Sequence, residues 1–150
     1  MKIAIANDHG GLSHKPLVLK ILAERGIDAV DMGTFTEDSC DYPVFAQKAA
    51  HAVVSGECDL GILICGTGVG ISLAANKVRG IRCACCNEPY SAAMCRRHNN
   101  ANMLSFGARV VGEEVAAQIV NAFLDNGFDG GRHERRVDLI TRIENGETVY

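Results

Sequence analysis

Tryptophan is absent from the chain and aromatic residues make up only 5% of it, too few to build stacking platforms for single-stranded nucleic acid. Basic residues are scarce as well. Fifteen Lys and Arg against 18 Asp and Glu leave a net charge of -3, so no broad phosphate-tracking surface and no nucleic-acid partner is expected. Long apolar runs are missing: the opening MKIAIAND is too short for a signal peptide, and no stretch approaches the roughly 20 residues of a membrane span. A cytoplasmic protein with no membrane partner is expected. There are no repeats, low-complexity tracts or linkers, and 150 residues with 47% hydrophobic content make one domain with enough apolar material for a core.

Cysteine is the exception to this scarcity. The seven, at positions 40, 58, 65, 83, 85, 86 and 95, are odd in number and lack the paired ligand spacing of a zinc site, which predicts reduced thiols and no metal. Cys83, Cys85 and Cys86 fall in an apolar stretch and read as small core hydrophobes. Cys65 is different. It ends the run Leu60 to Ile64 and opens the turn Gly66-Thr67-Gly68-Val69-Gly70, with Ile71 to Lys77 following as a helix. Inert packing is the ordinary fate of a strand-end cysteine, but three alternating glycines permit close approach of a ligand to the backbone. The turn is not a P-loop, since Ile71-Ser72 stands where Lys-Ser/Thr is required. It is not a dinucleotide fingerprint, since the third glycine is Ile71. What remains is a cradle for a small phosphorylated or carboxylated metabolite, without cofactor.

Strand-like runs recur at Lys2 to Ala6, Ala29 to Met32, Leu60 to Ile64, Gly80 to Cys86 and Met103 to Phe106, separated by helical periodicity. One helix is expected to carry Leu17, Val18, Ile21 and Leu22 and to stop at Gly26, and others to run over Val44 to Ser55, from Glu88-Pro89 to His98, over Glu113 to Leu124, and over about 132–145. Such alternation predicts a three-layer α/β/α, Rossmann-like domain on a five-stranded parallel sheet, with ligands at the carboxyl ends of the strands. Asp8-His9 follows the first strand and belongs on the same rim as Cys65; the plainer reading is that Asp8 caps the next segment. His98-Asn99 ends a helix. Arg109, Arg132 and Arg136 suit a phosphate clamp.

Taken together, DHGG at Asp8, DYP at Asp41, ICGTGVGISLAANK at Ile64, EPYSA at Glu88, RRHNNAN at Arg96, FGARVVG at Phe106 and GGRHERR at Gly130 resemble the type B ribose-5-phosphate isomerases and related galactose-6-phosphate isomerases along essentially the whole chain. The resemblance implies an aldose-ketose isomerase working through a cis-enediolate without metal or cofactor. It implies Cys65 as base and His98, aided by Thr67, as the acid that opens the sugar ring. It places the Gly66, Thr67, Gly68, Val69 and Gly70 amides on the developing oxyanion, Asp8, His9 and Asn99 on hydroxyls, and Arg109, Arg132 and Arg136 on phosphate. One branch of the family carries glutamate as base where this chain has Ile71. The resemblance further implies a homodimer or tetramer, with His98 and Asn99 arriving from the partner and the C-terminal helix packing on it. A hexose 6-phosphate (allose or galactose) isomerase and a sugar-phosphate-binding regulator are the alternatives.

Overall fold

In the computed structural model, which describes residues 1–150, five strands form one parallel sheet in the order β2-β1-β3-β5-β4. The strands are β1 (Lys2–Asn7), β2 (Asp28–Asp31), β3 (Leu60–Cys65), β4 (Cys83–Cys85) and β5 (Met103–Gly107). The helices are α1 (Lys15–Glu24), α2 (Tyr42–Val54), α3 (Val69–Ala75), α4 (Pro89–Asn99), α5 (Glu113–Leu124) and α6 (Arg132–Glu144). The expected three-layer architecture is present. Alternation along β1 shows how the sheet feeds two cores: Ile3 and Ile5 pack with α1, α4 and α5, and Ala4 and Ala6 pack with α2 and α3. The small alanines match small partners, since α2 presents Ala46, Ala49, Ala50 and Ala52 to the sheet. No helix is long and apolar enough to cross a membrane.

The chain after β1 makes a 3-10 turn, His9–His14, before α1. Asp8 dictates this, because its Oδ1 accepts from the Gly11 N–H at 3.0 Å and closes a short cap. The fourth strand spans Cys83–Cys85 instead of Gly80 to Cys86, since Gly80 turns at φ +88° and the Arg82 N–H is taken by Asn102 Oδ1.

The cysteines of β4 also depart from a uniform core reading. Cys85 is exposed. The reading that no paired spacing is present needs correction, since Cys83 and Cys86 stand at CxxC spacing, but they belong to opposite cores, Cys83 beside α2 and α3 and Cys86 beside α4 and α5. They do not form a ligand pair.

The 3-10 turn lies hard against the end of β3. A β-carbon on Gly11 would fall 2.2 Å from the Ile64 carbonyl oxygen and 3.0 Å from the Cys65 nitrogen. Gly11→Ala is therefore expected to destabilise the fold by about 3 kcal/mol, because backbone atoms and not flexible side chains obstruct it. A urea-denaturation midpoint close to wild type would contradict that close approach.

Candidate active site

Cys65 is the last residue of β3 and is 4% exposed. Parallel pairing sets it beside Gly107, the last residue of β5, so its sulfur stands on the carboxyl rim of the sheet. The loop beyond folds back over it. Gly68, at φ +79°, adopts a conformation other residues rarely reach, and its N–H donates to Cys65 Sγ at 3.1 Å. The hydrogen bond fixes the sulfur in place under the loop. Ser105, buried on β5, fixes the loop from beneath by donating its hydroxyl to the Gly68 carbonyl at 3.0 Å. Thr67 is exposed at the crest of the loop, its Oγ1 accepting from the Val69 N–H, and α3 starts at Val69. Ile71 is fully buried in the core. Burial pushes the Cys58 thiol up and that of Cys83 up to about 12, so both are held as neutral thiols.

Asp8 and His9 join Cys65 as expected. The Asp8 N–H donates to the Ile64 carbonyl at 3.3 Å, which ties the end of β1 to the end of β3. Asp8 is at once a cap and a residue of the rim. The Cys40 N–H donates to His9 Nδ1 at 3.2 Å. With Nδ1 accepting, a neutral His9 carries its proton on Nε2, which makes that nitrogen the donor toward a ligand. The 33–41 loop that supplies this amide is held at its other end by Lys15, whose ammonium donates to the Thr34 carbonyl at 2.6 Å and pairs with Asp31 at 3.0 Å. Arg109 completes the group: its N–H donates to the Gly66 carbonyl, and a β-carbon on Gly66 would be 3.5 Å from Arg109 Cδ. One chain thus unites Asp8, His9, Cys65, the Gly66–Gly70 loop and Arg109.

It does not bring His98, Asn99, Arg132 or Arg136 to them. Helix α4 leaves the carboxyl end of β4 and runs back antiparallel to the sheet, so its last residues reach the opposite edge. There Arg82, just ahead of β4, donates to the Asn99 and Asn100 carbonyls at 3.1 Å. The five residues of β5 alone put about 13 Å between that edge and Cys65. Helix α6 begins beside the same end of α4: the Asp129 N–H donates to the Arg97 carbonyl, and the Asp129 carboxylate pairs with Arg97 Nη2 at 3.1 Å. Arg132 and Arg136 flank His133 there. The three arginines of the expected clamp are therefore split within one chain, Arg109 on one rim and the other two near the opposite edge. Ile140 and Ile143 of α6 are exposed, and a cleft of about 500 Å3 opens between α6 and β4, away from Cys65.

His98, Asp129 and His133 have ligand atoms within 4.8 Å of one another. The two imidazoles are nevertheless stacked, with centroids 4.2 Å apart and planes at 6°. Near-parallel planes share no point at which one ion could meet both in-plane lone pairs, and Arg97 already holds the carboxylate, so this arrangement suits ring stacking better than a metal. Three contributors went unread in the sequence. Ser105 carried a signal as a polar residue inside an apolar strand. His133 lay unremarked inside GGRHERR. The Cys40 amide, a backbone group, carried none.

A doubly wound parallel sheet that sets a hydrogen-bonded thiol beside an amide loop, an imidazole, a carboxylate and a guanidinium defines an enzyme site for a small anionic metabolite. Comparison with known proteins makes the class specific. Residues 3–140 match the ribose/galactose isomerase family. Escherichia coli ribose-5-phosphate isomerase B is 53% identical over 143 residues, 95% of this chain and 96% of that protein. Among solved structures, Clostridium thermocellum ribose-5-phosphate isomerase B superposes with a TM-score of 0.96 at 52% identity, covering 99% of this chain and 100% of that one. Mycoplasma genitalium ribose-5-phosphate isomerase B, solved with bound ribulose-5-phosphate, superposes at 0.92 with 43% identity over 97% of each chain. The chain belongs to the ribose/galactose isomerase family.

Proposed function

We propose that this protein interconverts ribose 5-phosphate and ribulose 5-phosphate, with Cys65 moving a proton between C2 and C1 through a cis-enediolate. The observation that carries the reading is the Cys65 sulfur on the sheet rim, with the Gly68 N–H donating to it. The thiolate removes the C2 proton, negative charge builds on the C1 oxygen, and amides of the Gly66 to Gly70 loop receive it. The O2 hydroxyl proton passes to O1, and the carbon proton, returned from the Cys65 thiol to C1, completes the ketose with its C2 carbonyl. Asp8, His9 and Asn99 bind hydroxyls. Arg109, Arg132 and Arg136 bind the phosphate, whose binding energy orients the reacting carbons.

The aldose enters as a closed furanose, and His98, assisted by Thr67, opens it. Because His98, Asn99, Arg132 and Arg136 lie at the other end of their own chain from Cys65, we assign them to the site of a second copy. A two-fold axis that brings one subunit's rim to the other's opposite edge builds two identical sites, each with all three arginines. In this reading the exposed face of α6 packs on the partner, dimers can pair into tetramers, and the enzyme acts in the cytoplasm without metal or cofactor.

The test is turnover of ribose 5-phosphate, allose 6-phosphate and galactose 6-phosphate by the purified protein. Ribose 5-phosphate is expected to have the highest kcat/KM, by about tenfold or more, since the pinned 33–41 loop sets the room for one additional carbon. A hexose preference would assign the sister activity instead. Binding without turnover on any of the three would favour a regulator.

A further inference from the structure

We propose that His133 is a positioning residue for ring opening, holding the His98 imidazole in the plane from which it protonates the sugar. The proposal rests on the isomerase reading above. It starts from the sequence Gly130-Gly131-Arg132-His133: both glycines have positive φ, +65° and +57°, so the chain reverses sharply and α6 starts directly over the end of α4. The Asp129 N–H on the Arg97 carbonyl and the Asp129 carboxylate on the Arg97 guanidinium fasten that junction. The result is the His98–His133 stack, centroids 4.2 Å apart and planes within 6°.

His133 is 9% exposed, whereas His98 is only partly buried on the last turn of α4. The inner ring is thus fixed by packing and the outer ring lies flat upon it. Burial, then the neighbouring His98, Arg132 and Arg136, lower the proton affinity of His133 against the opposing pull of Asp129. A neutral His133 stacks without setting a second positive charge against His98.

Ring opening needs this restraint. His98 gives a proton to the ring oxygen O4 as the C1–O4 bond breaks, the C1 hydroxyl loses its proton to water, and the free aldehyde results. His98 then recovers its proton from solvent. A ring free to rotate about its last side-chain bond would present the wrong edge to O4, and a displacement of about 1 Å in such a group costs on the order of 100-fold.

The two directions of the reaction isolate this step. Ribulose 5-phosphate has its O5 esterified and no hydroxyl placed to close a five-membered ring, so it reaches Cys65 without being opened. For His133→Ala we expect kcat on ribose 5-phosphate to fall about 10- to 100-fold. The initial rate from ribulose 5-phosphate, read as appearance of the free aldehyde, should change by less than about twofold on the same principle that only the affected step slows. His133→Phe, which keeps a flat stacking ring, should restore most of the loss. Equal losses in both directions, no loss in either, or failure of phenylalanine to rescue would overturn the role of His133. Inactivity of the wild type in both directions would overturn the isomerase reading itself.

Discussion

Cys65→Ala is expected to lower kcat by about 10³-fold or more, because general base catalysis by a positioned group is worth on the order of 10²–10⁴ and the thiol has no neighbour to replace it. Of the other cysteines on this side of the molecule, Cys85 lies beyond the glycine loop, with Gly68 packed between it and Cys65, and Cys40 has its sulfur against His9 Nδ1 at 3.8 Å. His9 has its Nδ1 engaged by Cys40, and Asp8 spends Oδ1 on the Gly11 N–H. The fold should survive the change. Alanine fills nearly the same space in the core beside Ile71 and Leu63, and the lost hydrogen bond to Gly68 is worth about 1 kcal/mol. Cys65→Ser separates the base from the scaffold: its hydroxyl can still accept from the Gly68 N–H, yet it is far too weak an acid to ionise, so it should be nearly as inactive as alanine. Retention of more than about a tenth of wild-type kcat by either variant would mean that another group takes the C2 proton. Denaturation midpoints on the same preparations confirm that activity and not folding has been lost.

Much of the fold is legible because helix and strand periods are long and uninterrupted here. Helix α5 runs over Glu113–Leu124 as its apolar spacing requires, and Cys65 ends its strand where the apolar run meets glycine. Reading weakened where polar side chains compete for backbone groups. The Asp8 cap drew the DHGG segment into a 3-10 turn, and Asn102 took the amide that would have lengthened β4. Cys85 looked internal from its neighbours, but it lies at the end of an edge strand, where one side meets no further strand.

The candidate site was legible as a set of residue types and much less so as an arrangement. Motifs in sequence order do not say which end of a helix meets which end of a strand. The antiparallel return of α4 sends His98 and Asn99 away from Cys65, and the Asp129–Arg97 junction carries Arg132 and Arg136 with them. In the proposed reading the clamp of three arginines is completed by a second chain. Nor could the His98–His133 stack be foreseen from positions 35 apart: it depends on the double-glycine reversal and on which face of α6 meets α4.

Mixing two inactive variants tests most directly the proposal that each site is shared between two chains. Cys65→Ala and His98→Ala should each be inactive alone. Unfolded together in equal amounts and refolded, half of the resulting dimers would hold one chain of each kind. In each mixed dimer, one site pairs an intact Cys65 with an intact His98, and the other has lost both. Recovery of about a quarter of wild-type activity is expected in the mixture, the value set by random two-fold pairing. If Cys65 and His98 instead served the same site from one chain, no mixed dimer would contain an intact pair, and the mixture would stay as inactive as its parts.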